Sequence, residues 1–257
     1  DVLPLLADES VDIILTDPPY GHNNNNDDLI ANREKALGRA ASIVDASAPR
    51  PIANDGMDDM KAVVDAMLVQ AARLLRHDSC CCCCCGGGGP KPTFAWLANR
   101  LDTAGLKFFH AVVWDKGGLG MGWRYRRNYE MVMIAHRRGG RIKWETDRKD
   151  AVTANVVRLS KIIPQIDDHP TPKPVELFDH FLALHGKPGD LVLDPFMGHS
   201  PVGVAALRAG MRYIGIECDE QHFDAAARRL ENAHAQQSLF APALANPAMT
   251  VQEQMFA

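Results

Sequence analysis

Apolar residues fall along this chain in two spacings. Runs of strand length stand at Val11 to Thr16, Cys80 to Cys85, Phe109 to Trp114, Glu130 to Ala135, Leu191 to Leu193 and Tyr213 to Ile216. Between most of them apolar positions recur at helical spacing, over Met57 to Arg76, Thr93 to Asp102, Lys173 to His185, Val202 to Ala209 and Gln221 to Ala235. Strands alternating with helices predict an α/β fold, a doubly wound and mostly parallel sheet covered on both faces. The helix at Val202 is well signalled, with Ser200 as its N-cap, Pro201 at the first helical position and Gly210 as its stop.

Three stretches lack this patterning. Gly21 to Asp55, with Asn23 to Asn26, reads as a long polar loop, either a lid or a disordered segment. Arg137 to Asp168 reads as a small irregular insertion, and the residues after Ser238 as a loose tail. At 257 residues, 46% of them hydrophobic and 23% charged, the chain suits one sizeable domain. No apolar run approaches the roughly 18 residues needed to cross a bilayer, and no leader precedes Val2, so a cytoplasmic location is expected. The start at Asp1, ten residues before a core strand, implies further sequence upstream.

The net charge of −4 hides a basic window. Arg124, Arg126, Arg127, Arg137, Arg138, Arg141 and Lys143 are interleaved with Trp123, Tyr125, Tyr129 and Trp144, a mixture suited to nucleic-acid backbone and bases. A solvated basic face is the competing reading. Cys80 to Cys85 are consecutive. Strand alternation sends neighbouring thiols to opposite faces, so no four of them converge on a metal, and buried packing in a central strand is expected.

Chemistry is concentrated at two strand ends. Asp17-Pro18-Pro19-Tyr20 follows the first run directly. Successive prolines stiffen the turn, so the Asp17 carboxylate and the Pro18 carbonyl can point into one small space as acceptors for a planar amino group, with Tyr20 stacking on its ring. Downstream, Asp190 to Met197 is a strand that breaks into Gly198-His199-Ser200 before a helix. The next strand ends in Glu217, about twenty residues beyond the turn, the spacing at which such folds offer an acid to ribose hydroxyls. A full G-x-G-x-x-G is missing, which favours an adenosine-bearing cofactor other than a dinucleotide.

These motifs resemble those of S-adenosylmethionine-dependent DNA amino-methyltransferases of the class in which the catalytic motif precedes the cofactor motif. Asp17-Pro18-Pro19-Tyr20 matches the family's catalytic motif, Asp194-Pro195-Phe196-Met197-Gly198 its cofactor turn, Glu217 its ribose acid, and His169 to Pro174 the segment before the cofactor strand. The resemblance implies a Rossmann-like class I methyltransferase fold in circularly permuted order. Its halves are residues 1–136 (catalytic) and 169–237 (cofactor), with a short target-recognition insertion at 137–168 and a flexible tail at 238–257. It implies that Asp194, Pro195, Phe196, Gly198 and Ser200 line the cofactor, that Glu217 binds its ribose, and that Thr171 and Lys173 hold its methionine carboxylate. His199 and Ser200 depart from the family, where a small residue and a second glycine are more usual.

The implied activity is site-specific methylation of the adenine amino group in double-stranded DNA. Asp17 and Pro18 accept its hydrogens, and Tyr20 stacks on the flipped base. Recognition falls to Trp123, Arg124, Arg126, Arg127, Arg137, Arg138, Arg141 and Lys143, and so short an insertion implies a short or relaxed recognition site. No Pro-Cys is present, which argues against attack at cytosine carbon. Methylation of the cytosine amino group, for which Ser replaces Asp17 in the family, and a DNA-binding relative without turnover are the alternatives. Gln236-Gln237-Ser238-Leu239-Phe240 resembles the peptide by which bacterial DNA enzymes dock on the sliding clamp.

Overall fold

The computed structural model describes residues 2–21, 53–54, 56–86, 93–118, 126, 128–145, 153–160 and 173–240. Its strands are β1 (Val11–Thr16), β2 (Leu75–Gly86), β3 (Leu106–Asp115), β4 (Tyr129–Arg137), β5 (Arg141–Ile142), β6 (Val156–Arg158), β7 (Leu191–Asp194) and β8 (Arg212–Gly215). Its helices are α1 (Met57–Leu74), α2 (Thr93–Thr103), α3 (Val175–His185), α4 (Pro201–Arg208) and α5 (Glu220–Phe240).

Among the described residues the strands form one sheet in the order β6-β3-β4-β2-β1-β7-β8, with β5 on β2. Neighbours are parallel except at β4, which runs antiparallel to both β2 and β3. This is the expected Rossmann-like, doubly wound sheet with one reversed strand. The order is permuted: β1, the first described strand, lies beside β7, so segments far apart in sequence meet at the sheet's centre.

Two apolar layers hold it. On one face α3 and α4 press Phe178, Phe181, Leu182 and Val202 onto Ile13, Leu15, Cys80, Cys82 and Cys84. On the other, α1 and α2 press Met60, Val64, Leu68, Leu97 and Leu101 onto Ile14, Cys81, Cys83 and Cys85. Buried positions on α1 at 60, 64, 67, 68, 71 and 74 make one stripe, while Asp58 and Asp59 in its first turn and Arg73 in its last complement the helix dipole. Each large apolar side chain buried in this way contributes about 1.5–3 kcal/mol. The cysteines pack as small hydrophobes, alternating between the two layers as a strand requires.

Several expectations change. β5 and β6 lie within 137–168, so that stretch supplies two short strands to the sheet. α5 runs to Phe240, so the first residues of the presumed tail are helical. Ser200 does not cap α4 with its side chain: it takes φ 55 and makes no capping hydrogen bond. The polar loop lies largely outside the described residues.

α4 seats against α5 and β8 through Gly203. A Cβ there would stand 2.3 Å from Ser200 Oγ and 2.7 Å from both Leu230 Cδ2 and Tyr213 Cε1. Alanine is the better helix former by about 1 kcal/mol, but overpacking costs about 1–3 kcal/mol. Gly203→Ala is therefore expected to lower stability by up to about 2 kcal/mol, seen as a lower denaturation midpoint at unchanged slope.

Candidate methyl-transfer site

β1 and β7 are parallel neighbours, with Ile13 opposite Val192 and Ile14 opposite Leu193, so the turns that follow them open side by side. Thr16 Oγ1 donates to Asp194 Oδ1 at 2.6 Å, a buried bond across 178 residues of sequence. Because β4 is reversed, its first residues also arrive at this end of the sheet, with Glu130 opposite Gly86 and Trp114. The site is built from these three strand ends and from Lys173, two residues ahead of α3.

Asp17 is gripped from both sides. Tyr20 donates its hydroxyl to Oδ1 at 2.6 Å, and Lys173 Nζ donates to Oδ2 at 2.7 Å. Glu130 completes the group, with Tyr20 Oη at 3.0 Å, Lys173 Nζ at 3.4 Å and a hydrogen bond from Lys116. Lys173 also lies 4.9 Å from the centre of the Tyr20 ring. Burial works to discharge Lys173, but the Asp17 and Glu130 carboxylates more than offset it and hold its ammonium charged above the usual lysine range. Burial likewise pushes Glu130 up, and Lys173 and Lys116 outweigh it, leaving the carboxyl below its usual range. The Tyr20 phenol is raised well above its ordinary value by burial and then by both carboxylates, so it remains a protonated donor.

Beside this group lies a small hollow of about 10 Å³, room for a single water, bordered by Pro18, Pro19, Tyr20, Cys84, Thr93 and Trp96. The buried Oγ1 of Thr93 has no hydrogen-bond partner among the described residues.

The second turn is held from within. Asp194 also accepts from Phe196 N at 3.2 Å, and Gly198 takes φ 47, a conformation that suits glycine. Gly198 N donates to Glu217 Oε2 at 3.0 Å, while Glu217 Oε1 accepts from the amides of Cys218 and Asp219 at 2.9 Å. A carboxylate has about four lone-pair sites, so Glu217 retains capacity for a hydroxyl. Ser200 is fully buried, and its Oγ donates to Tyr213 Oη at 3.0 Å, so the side chain is turned into the core. Tyr213 Oη in turn reaches Asp194 Oδ2 at 3.5 Å, and Arg229 Nη1 holds the His199 carbonyl at 3.0 Å.

The basic window divides. Trp123, Arg124, Arg127 and Thr171 lie outside the described residues. Arg126 falls in the β3–β4 connection, at the Asp17 end of the sheet. Arg137, Arg138 and Arg141 sit at or just beyond the last residues of β4, at the opposite end, paired with Glu9, Asp102 and Asp78. Lys143 does not face DNA: it is buried, with Nζ 3.0 Å from Asp190 and 3.3 Å from Glu145. Glu130, Lys116, Thr16 and Tyr213 are the site residues that the motifs did not announce.

A Rossmann-like sheet with one reversed strand, carrying an acidic Pro-Pro turn beside a second acidic turn, defines the amino-methyltransferase class. The family model described as DNA methylase, covering N6 and N4 methyltransferases, matches residues 11–228, and the chain belongs to that family. It is 37% identical over 83 residues to the Type II methyltransferase M2.DpnII of Streptococcus pneumoniae, covering 32% of this chain and 30% of that protein. It is 36% identical over 76 residues to the DNA adenine methyltransferase YhdJ of Escherichia coli K12, covering 30% and 26% respectively. The matched segments thus span under a third of these relatives. The M1.HpyAVI–SAM complex is similar in fold, with a TM-score of 0.59 at 21% identity over 88% of this chain and 90% of that one. Clamp docking finds no support among these findings; Gln236 to Phe240 form the end of α5. No described helix is long and apolar enough to cross a membrane.

Burial raises the Asp194 carboxyl to about 7, against the hydrogen bonds from Thr16 and Phe196 and assisted by Asp17. The folded chain then keeps a proton that the unfolded chain has lost, so this group makes stability fall as pH rises from about 4 to about 7, with no further change above. Asp194→Asn should flatten that part of the profile, measured as the difference in denaturation midpoint between variant and wild type from pH 4 to 8.

Proposed function

We propose that the chain transfers the methyl group of S-adenosylmethionine to the N6 amino group of adenine in double-stranded DNA, with the base flipped out of the duplex. The observation that carries this reading is the Asp17 carboxylate, fixed by Tyr20 and Lys173 and joined through Thr16 to the Asp194 turn.

The donor set fits the cofactor. Glu217, at the end of the strand next to the turn, offers a carboxylate to a ribose diol, and Phe196 and Gly198 stand between it and Asp17 in the order of the turn. Lys173 has three N–H donors and directs two at the Asp17 and Glu130 carboxylates, which leaves one for the methionine carboxylate. Bound there, S-adenosylmethionine supplies a methyl group activated by its sulfonium charge.

The chain's own residues do the rest. An adenine amino nitrogen is a poor nucleophile because its lone pair is conjugated with the ring. Asp17 and the Pro18 carbonyl accept its two hydrogens and favour a pyramidal nitrogen, so that the lone pair is aimed at the methyl carbon. Tyr20 and Lys173 hold Asp17 in place, and Lys116 and Lys173 keep Glu130 ionised beside it. Most of the rate enhancement is positioning and electrostatics. The hollow at Tyr20, Thr93 and Trp96 widens to admit the base, with the Thr93 hydroxyl a polar partner for its edge. Arg126, in the β3–β4 connection, meets the duplex at the same end of the sheet. The adenine methyltransferase YhdJ among the relatives and the SAM complex among the similar folds both support this assignment.

Asp17→Ala and Asp17→Asn are each expected to lower single-turnover methylation of random-sequence DNA by at least about 10²–10³-fold, with S-adenosylmethionine affinity little changed by calorimetry. Near-normal turnover in Asp17→Asn would overturn the mechanism. A mass-resolved nucleoside digest of the wild-type product should contain N6-methyladenine; N4-methylcytosine would move the reading to cytosine.

A further inference from the structure

The cysteine-rich strand holds a cluster that methyl transfer does not use. Alternation along β2 puts Cys80, Cys82 and Cys84 on the α3 face, where the Cys80 and Cys82 sulfurs lie 3.1 Å apart. The last residue of α3, His185, is buried at 2% exposure on the same face. Two thiol sulfurs and one imidazole nitrogen thereby come within 4.8 Å of one another. Metal–sulfur bonds of about 2.3 Å and metal–nitrogen bonds of about 2.0–2.1 Å end to end span about 4.4 Å. One ion can sit among the three atoms once small side-chain rotations part the sulfurs and bring the imidazole nitrogen to bonding distance.

The histidine is already oriented for this. His185 Nδ1 lies 2.7 Å from the Lys143 carbonyl oxygen. A carbonyl can only accept, so Nδ1 carries the hydrogen and Nε2 is left to present a lone pair. Donating the other ring N–H to a backbone carbonyl is how ligating histidines are commonly held. The Trp144 ring packs edge-on against the imidazole at 5.1 Å and fixes it further.

We infer that Cys80, Cys82 and His185 form a binding site for a soft divalent metal ion of the zinc group, separate from the methyl-transfer site. Uptake of M²⁺ by two thiols releases two protons and leaves two thiolates and a neutral imidazole around a dication. The net charge is zero, as so buried a site requires. Thiolate and imidazole donors select zinc-like ions over magnesium or calcium. Three protein ligands leave one tetrahedral position for a further donor. The ion clips central strand β2 to α3 at the far end of that helix from Lys173, roughly 16 Å away along 11 residues.

Titration of the full chain with Cd²⁺ tests this, in a Cys218→Ser background that removes the exposed thiol and in a phosphine reductant. The expected result is one equivalent bound, a thiolate-to-cadmium charge-transfer band and a raised melting temperature. Cys82→Ser and His185→Gln should each weaken binding by at least about 10-fold. Cys83→Ser, whose sulfur faces α1 and α2, should bind as the parent does. The Gln amide can still donate to the Lys143 carbonyl, and each variant is compared only when its circular dichroism matches the parent. Absence of uptake, or uptake that survives both Cys82→Ser and His185→Gln, overturns the inference. Neither outcome bears on the methylation assay, which reads a different end of the sheet.

Discussion

The hydrogen bond from Thr16 to Asp194 is the junction on which this architecture turns. It closes the seam between β1 and β7, and so between the two halves of a permuted chain, at the depth where both strands give way to their turns. Pairing of β1 with β2 on its other side locks the register. In a parallel sheet with both faces covered, a slip by one residue would exchange the α1 face for the α3 face at every position, and both cores would be lost. The site geometry is a consequence of that register.

Charge at the site is organised around scarcity of water. Two carboxylates, Asp17 and Glu130, share two lysines and one phenol within a partly buried space. Desolvating such groups is expensive, and loss of one partner from a buried pair costs about 3–5 kcal/mol because the other is stranded. The cluster is therefore a weak stabiliser but an effective fixture: it holds the Asp17 acceptor in place and aimed. The second buried cluster, Lys143 with Asp190 and Glu145, plays no such part, and lies at the other end of the sheet.

Much of this was legible in the residues themselves. β1 is readable to the residue because a fully buried parallel strand is a mostly apolar run, here interrupted by Asp12 alone before Thr16, and both turns stand out by their Asp-Pro starts. What the pattern could not carry were features set by pairing. β5 and β6, of two and three residues, are too short to show a period. The start of β2 at Leu75 was hidden because the helical spacing of α1 continues across it. Glu130 belongs to no motif: it reaches the site only because β4 is reversed, and strand direction leaves no trace in hydrophobic spacing. Lys143 was misassigned because a basic window counts charges, while Asp190, its buried partner, lies far away in sequence.

Ser200 makes the cost of its own presence visible. With φ 55 it holds a backbone conformation that disfavours side chains, so a glycine would relax the turn. Yet its hydroxyl is the near partner of Tyr213, whose phenol leans in turn on Asp194. Backbone ease at one position is thus exchanged for polar satisfaction at another, and the two are bound as a pair. Glycine at 200 would ease the backbone but leave the Tyr213 hydroxyl only its longer bond to Asp194, so a change at one position is felt at the other.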